Sequence, residues 1–226
     1  MNGPAPYRLR DGLSYCILDG HPIFLDVYSD RYFRLSTELE QSFISYEAGD
    51  RAEGNVGALL GCRLLTQAPD EPSSELSYCI DAPRRSAIEQ ACSTRAVRPV
   101  TLLEVIALVC STQAQLKTHS LKAILEDVVA LRRKSTSSTS TAHSDQSLLR
   151  ATSAFGLARK YVPLATTCLL DSLALMKFLA RRHLHANLVF GVTNDPFTAH
   201  CWVQAGDLAL NETVGDATAR TPIRVV

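Results

Sequence analysis

The chain has 226 residues, 46% hydrophobic and 20% charged, and its 23 basic and 23 acidic residues cancel to a formal net charge of +0. That balance leaves no electrostatic footprint for nucleic acid or an anionic membrane surface, and the length supports one large or two small cores. No apolar run approaches the ~18 residues of a membrane span, and the opening MNGPAPYRLRDG lacks a signal-peptide core, so a cytosolic protein is expected.

Residues 7–66 read as a small β-then-α module. LSYCIL (13–18) and PIFLDV (22–27) are strand-like and flank Asp19-Gly20, a strong hairpin signal. Tyr32, Phe33, Arg34 and Leu35 make a third strand after the Ser29-Asp30-Arg31 turn. Ser36 or Thr37 caps a first helix, with Glu40 completing a capping box, Leu39, Phe43, Ile44 and Tyr46 as its stripe, and Gly49 as its stop. A second helix is expected over residues 56–66, with Leu59, Leu60, Leu64 and Leu65 apolar. Such a winged-helix-sized module has a thin core and sheet edges that either accept an extended peptide as an added strand or are covered by the second domain; both readings stay open. A winged shape also invites a DNA-binding reading, but the second helix carries a single basic residue, Arg63, and makes a poor phosphate or base reader.

QAPDEPSSELS is Pro-, Ser- and acid-rich and reads as a linker, with further breaks at Asp81-Ala82-Pro83-Arg84-Arg85 and at residues 95–99. Residues 101–133 are helical, with Leu102, Leu103, Ile106 and Val109 as one stripe and Leu121, Ile124, Leu125, Val128 and Leu131 as another. The second ends in Arg132-Arg133-Lys134, a basic run suited to a helix C-terminus. Residues 134–145 (KSTSSTSTAHSD) form a mobile Ser/Thr-rich loop, and a short helix over 148–161 leads through Pro163 to Cys168.

The chemistry concentrates in residues 166–212, TTCLLDSLALMKFLARRHLHANLVFGVTNDPFTAHCWVQAGDLALNE. Thr166 and Thr167 are good N-cap types, so Cys168 sits at a helix start, where free N–H groups and the helix dipole favour a thiolate. Residues 188–192 read as a strand, and residues 199–204 and 208–211 as a hairpin about Ala205-Gly206-Asp207. His200 on that hairpin can take the thiol proton, while a third group fixes the imidazole. A two-residue turn at Ala205-Gly206 places Asn211 opposite His200; Glu212 lies one place on, is the better imidazolium stabiliser, and needs a bulge or strand end to reach it. Both stay open as orienter. Singly, a buried Cys or His is more often structural; in helix–strand–strand order the set becomes moderately specific.

The remaining cysteines, Cys16, Cys62, Cys79, Cys92, Cys110 and Cys201, form no CxxC pair, so they read as inert free thiols. Cys201 is expected on the opposite face of its strand from His200, in a structural role. His183 and His185 have no acidic or cysteine partner at ligand spacing, so no metal is expected. No Walker-type glycine motif is present, so no cofactor is expected and any ATP requirement would belong to a partner.

TTCLLDSLAL, LVFGV, PFTAHCWVQAGDLALNE and the terminal TPIRVV closely resemble the leader peptidase, or B protein, of lasso peptide biosynthesis, over residues 147–226. The resemblance implies a transglutaminase-like cysteine protease domain with Cys168 as nucleophile and His200 as base. Glu212 falls in the column of the family's third residue, where Asp is commoner. HPIFLDVYSDRYFRLSTELEQSF is similar to the leader-recognition element at the front of fused members of that family. Carried over, Tyr32, Phe33 and Arg34 belong to the strand that pairs with a precursor's leader, and Leu64 and Leu65 to the groove helix. The implied partners are that precursor and an ATP-dependent macrolactam synthetase, the lasso cyclase, with neither nucleic acid nor membrane involved.

The expected architecture is α+β: a winged-helix-like leader-recognition module over residues 1–80, a linker over 81–99, and a helical plus antiparallel-sheet transglutaminase/papain-like domain over 100–226. The expected function is cleavage of a leader from a lasso core peptide. The alternatives are a non-catalytic leader-binding scaffold and a transglutaminase that passes the acyl group to an amine.

Overall fold

A computed structural model describes residues 7–50, 52–67, 80–90, 97–136 and 145–226, the side chains of Glu53 and 132–136 excepted. The chain is α+β and divides into two compact units, Met1–Tyr78 and Cys79–Val226. Most of the acid- and Pro-rich linker and of the Ser/Thr loop, the side chains of the basic run at 132–134, Cys79 and Cys92 lie outside the described residues.

In the first unit, β1 (Tyr7–Leu9) pairs antiparallel with β5 (Leu65–Gln67), while β2 (Leu13–Leu18), β3 (His21–Asp26) and β4 (Arg31–Phe33) form a separate meander in that order. Asp19 (φ 52°) and Gly20 (φ 83°) both take positive φ in the β2–β3 turn, the condition of a type I′ hairpin. α1 (Thr37–Glu47) buries Phe43 and Tyr46, while Ile44 is exposed, and Gly49 (φ 93°) stops it. The capping box does not form: Ser36 makes no side-chain cap, and the Glu40 carboxylate goes to His21 Nδ1, 2.7 Å away.

α2 (Glu53–Gly61) ends earlier than the apolar pattern indicates. Arg63 turns left-handed (φ 59°), and Leu64 N–H returns to the Leu59 carbonyl at 3.0 Å. Leu64 and Leu65 are therefore off the helix; both are core residues, and Leu65 sits in β5 opposite Leu9. The competing pull is β1, whose pairing with β5 claims residues that otherwise continue the helical pattern.

The second unit wraps a central helix, α6 (Cys168–Ala180). Eight of its residues, from Leu170 to Leu179, are buried, as expected of a helix apolar on all sides. α3 (Pro99–Thr118), α4 (Leu121–Thr136) and α5 (Asp145–Arg159) pack on it, and the sheet covers the remaining side. α3 buries Val105, Leu108, Val109 and Thr112, so its inner stripe is rotated from the one expected, and Leu103 is exposed. α3 also corrects the hydropathy reading: among the described residues it is one helix long and apolar enough to cross a membrane by length and composition, though its inner stripe packs against α5 and α6.

The sheet runs β10-β7-β8-β9-β6, made of β6 (Arg85–Ser86), β7 (Asn187–Thr193), β8 (Thr198–Ala205), β9 (Leu208–Ala209) and β10 (Thr221–Val225), with the short α7 (Val214–Thr218) before β10. β6 was expected to be linker; it pairs with β9, and that pair is the parallel one in an otherwise antiparallel sheet. Arg85 secures it with hydrogen bonds to both oxygens of Asp207, at 3.2 and 2.6 Å.

Gly191 lies opposite His200 in the β7–β8 ladder, and a Cβ there would stand 2.7 Å from the fully buried Trp202 ring. Gly191→Ala should therefore overpack this layer and cost about 1–3 kcal/mol, lowering the thermal midpoint by several degrees in a calorimetric scan of the full chain. An unchanged midpoint would show that the Trp202 layer has slack.

Candidate active site

Cys168 is the first residue of α6. Thr167 caps the helix: its hydroxyl accepts Leu170 N–H at 3.4 Å, and its carbonyl accepts Asp171 N–H at 3.0 Å. The first-turn amides of Cys168 and Leu169 have no carbonyl one turn back within the helix. The thiol is half-buried over β8, where it meets the His200 imidazole and both the side chain and backbone of Cys201.

His200 Nε2 is hydrogen-bonded to Glu212 Oε2, which makes Nδ1 the ring nitrogen available to Cys168. Glu212 is itself held, its Oε1 accepting Thr213 N–H at 2.9 Å and its backbone carbonyl accepting the Ser86 hydroxyl at 2.7 Å. Both side chains are largely buried, His200 at 25% and Glu212 at 14% exposed. The structure thus brings Cys168, His200 and Glu212 together.

It does not bring Asn211 to His200. Asn211 Oδ1 accepts Val203 N–H at 2.7 Å, and its Nδ2 donates to Ser172 Oγ at 2.9 Å. The pairing argument for Asn211 placed the hairpin turn one residue early. Gly206 (φ 57°) and Asp207 form the turn, and Ala205 faces Leu208. β9 then leaves the ladder after Ala209, and this strand end turns Glu212 onto the imidazole.

The electrostatics follow from the contacts. Cys168 is pushed down to about 4: the Cys201 thiol contributes most and His200 next, against the opposing effect of burial. His200 is pushed up, first by its hydrogen bond with Cys168, against burial, and then by the charges of Cys168 and Glu212. Both shifts favour the thiolate–imidazolium form of the pair. Cys201, read as inert packing, is 2% exposed, yet its thiol contacts that of Cys168 and is driven well above the usual thiol range by that contact and by burial.

Four contributors escaped the sequence reading: Cys201, Ser86, Ser172 and Arg159. A serine inside an apolar helix and an arginine at the end of another signal little alone: the partners of Ser172 are distant in sequence, and those of Arg159 lie mostly in the irregular segment just past its helix. Of the candidate leader-binding residues, Tyr32 and Phe33 lie in β4 at one edge of its sheet, and Arg34 just beyond it. Phe33 stacks on Phe24 at 5.3 Å, facing the core. A cleft of about 400 Å³ opens beside Lys177, Arg181 and Leu108. Lys177 is roughly 13 Å of helix rise from Cys168, so the cleft is not part of this site. Among the described residues no cluster of His, Cys, Asp and Glu could hold a metal ion.

A half-buried thiol at a helix start, with an imidazole on an adjoining sheet and a carboxylate just past its strand β9, is an arrangement for acyl chemistry. The transglutaminase-like superfamily model matches residues 108–225. The chain belongs to this superfamily. No curated protein and no solved structure matches it. The superfamily includes cysteine peptidases and acyl transferases, and the match begins beyond β6, so the strand that holds the Glu212 carbonyl lies outside it.

Alkylation of Cys168 by iodoacetamide, followed on its own peptide by mass because Cys62 and Cys110 are also exposed, should show a midpoint near pH 4. His200→Ala removes the cation that favours the thiolate, so the midpoint should move upward toward the ordinary thiol value near 8.5. A midpoint already near 8.5 in the unaltered protein would contradict the ion pair.

Proposed function

We propose that this chain is a cytosolic cysteine peptidase that cuts a leader from a ribosomally made precursor of the lasso peptide class. The observation that carries the chemistry is the Cys168 thiol at the start of α6 against a His200 already paired with Glu212. Its thiolate attacks the last leader carbonyl, and a backbone N–H at the start of α6 receives the oxyanion. The His200 imidazolium gives its proton to the departing amine of the core peptide, leaving a thioester on Cys168. Neutral His200 then takes a proton from water, hydroxide displaces the sulfur, and the leader leaves with a free carboxylate. Glu212 keeps the imidazole oriented and offsets its charge throughout.

The first unit supports the leader-binding half of this reading. β4 ends its three-stranded sheet, so a leader can add there as a further strand beside Tyr32 and Arg34. Holding the leader raises the local concentration of its scissile bond at Cys168 without strong contacts around the bond. The freed core would pass to a partner macrolactam synthetase, which supplies ATP.

The test is a purified full-length chain mixed with lasso-type precursor peptides carrying Thr at the penultimate leader position, read by intact mass. Two fragments that sum to precursor plus water are expected, and Cys168→Ala should lower their rate by on the order of a thousandfold or more. Glu212→Gln should cost about a hundredfold in kcat, whereas Asn211→Ala should act mainly on stability. An amine adduct in place of fragments would make the protein an acyl transferase, and binding with no turnover would make it a scaffold.

A further inference from the structure

Arg159, the last residue of α5, is 7% exposed, and four hydrogen bonds engage its guanidinium. Nε donates to Asp171 Oδ1 at 2.7 Å, Nη1 to the Val162 carbonyl at 3.3 Å, and Nη2 to the carbonyls of Leu164 and Ala165 at 3.1 Å each. Three of these acceptors belong to the irregular segment that ends at Thr167 and Cys168. The fourth lies in the first turn of α6, three residues past the nucleophile and on its face of the helix. A planar fork with fixed donor directions suits this task, and a lysine cannot reproduce it.

We propose that Arg159 is a positioning residue for Cys168: clamped on Asp171 and on three carbonyls of the loop before α6, it fixes the segment that delivers the nucleophile to the start of that helix. The inference rests on Cys168 being the reactive thiol of the proposed peptidase. Arg159 does not touch the substrate or the sulfur; it acts through backbone position and through Asp171. The Asp171 carboxyl is half-buried and pushed up by that burial, against Arg159, with the Cys168 thiolate adding to the push. Arg159 thus holds a carboxylate that would otherwise oppose thiolate formation one helical turn away.

This gives opposite signs to two small substitutions. Arg159→Gln retains an amide donor but frees the loop and leaves Asp171 without its cation. The midpoint of Cys168 alkylation by iodoacetamide should then rise by about one pH unit. Asp171→Asn removes the opposing charge and keeps a hydrogen-bond acceptor for Nε, so the midpoint should stay or fall. General loosening of the helix start would move both variants the same way. Circular dichroism checks that each is folded. If Arg159→Gln does not fold, Arg159→Lys replaces it; the retained charge without the fork should still raise the midpoint, by less. A folded Arg159 variant with an unchanged midpoint, or an equal rise in Asp171→Asn, overturns the proposal. Because alkylation needs no precursor and no turnover, either result stands apart from the outcome of the cleavage assay.

Discussion

The seam between α6 and β8 is the constraint on which the rest depends. A helix start can acidify a thiol, but the thiol does nothing until an imidazole is fixed beside it. Here that registration is set by a short polar relay inside an apolar interface. Ser172 Oγ donates to the Cys201 carbonyl at 3.3 Å and accepts from Asn211 Nδ2 at 2.9 Å, and Asn211 Oδ1 receives Val203 N–H at 2.7 Å. Ser172 is fully buried. Apolar packing alone lets a helix slide over a sheet by fractions of a turn, because its contacts are non-directional. The relay ties α6 to the backbone of β8 on either side of Trp202, so the sulfur one turn before Ser172 and the imidazole one residue before Cys201 keep a fixed relation. Every donor and acceptor in the relay is partnered, the condition under which a buried polar group specifies geometry and does not destabilise the core.

This relay also explains why Asn211 looked catalytic. It is polar, it neighbours Glu212, and a plausible turn placed it opposite His200. Register is decided by turn chemistry, and Gly206 can start the turn with a positive φ more readily than Ala205 can. Shifting the turn by one residue changes which side chain meets the imidazole, and the early end of β9 then frees Glu212 from strict alternation. Local chemistry was legible where one residue decides it: Asp19-Gly20 as a hairpin, Gly49 as a stop, Thr167 as a cap, Cys168 at a helix start. What was not legible depends on partners far apart in the chain or in irregular segments. Ser86 meets Glu212, and Arg159 meets the segment beyond its own helix, through bonds that no periodicity announces. Leu64 and Leu65 were misplaced for the same reason, since a three-residue strand near the N-terminus outweighed a helical pattern.

Glu212 shows how a longer side chain can serve at such a site. Its carbonyl is fixed by Ser86, one carboxylate oxygen by Thr213 N–H, and the other faces His200 Nε2. An additional methylene ordinarily adds rotamer freedom that must be lost on ordering. Here the backbone bond to β6 and the amide bond to its own neighbour remove that freedom before the imidazole is engaged. A carboxylate on a shorter stem in the same backbone position would sit about one bond length, roughly 1.5 Å, farther from the ring. The added edge strand and the Glu side chain are thus parts of one solution. β6 closes the sheet beside β9 and, through Ser86, fixes the Glu212 backbone at the distance its longer side chain spans, so a strand within the expected linker positions the carboxylate that faces the imidazole.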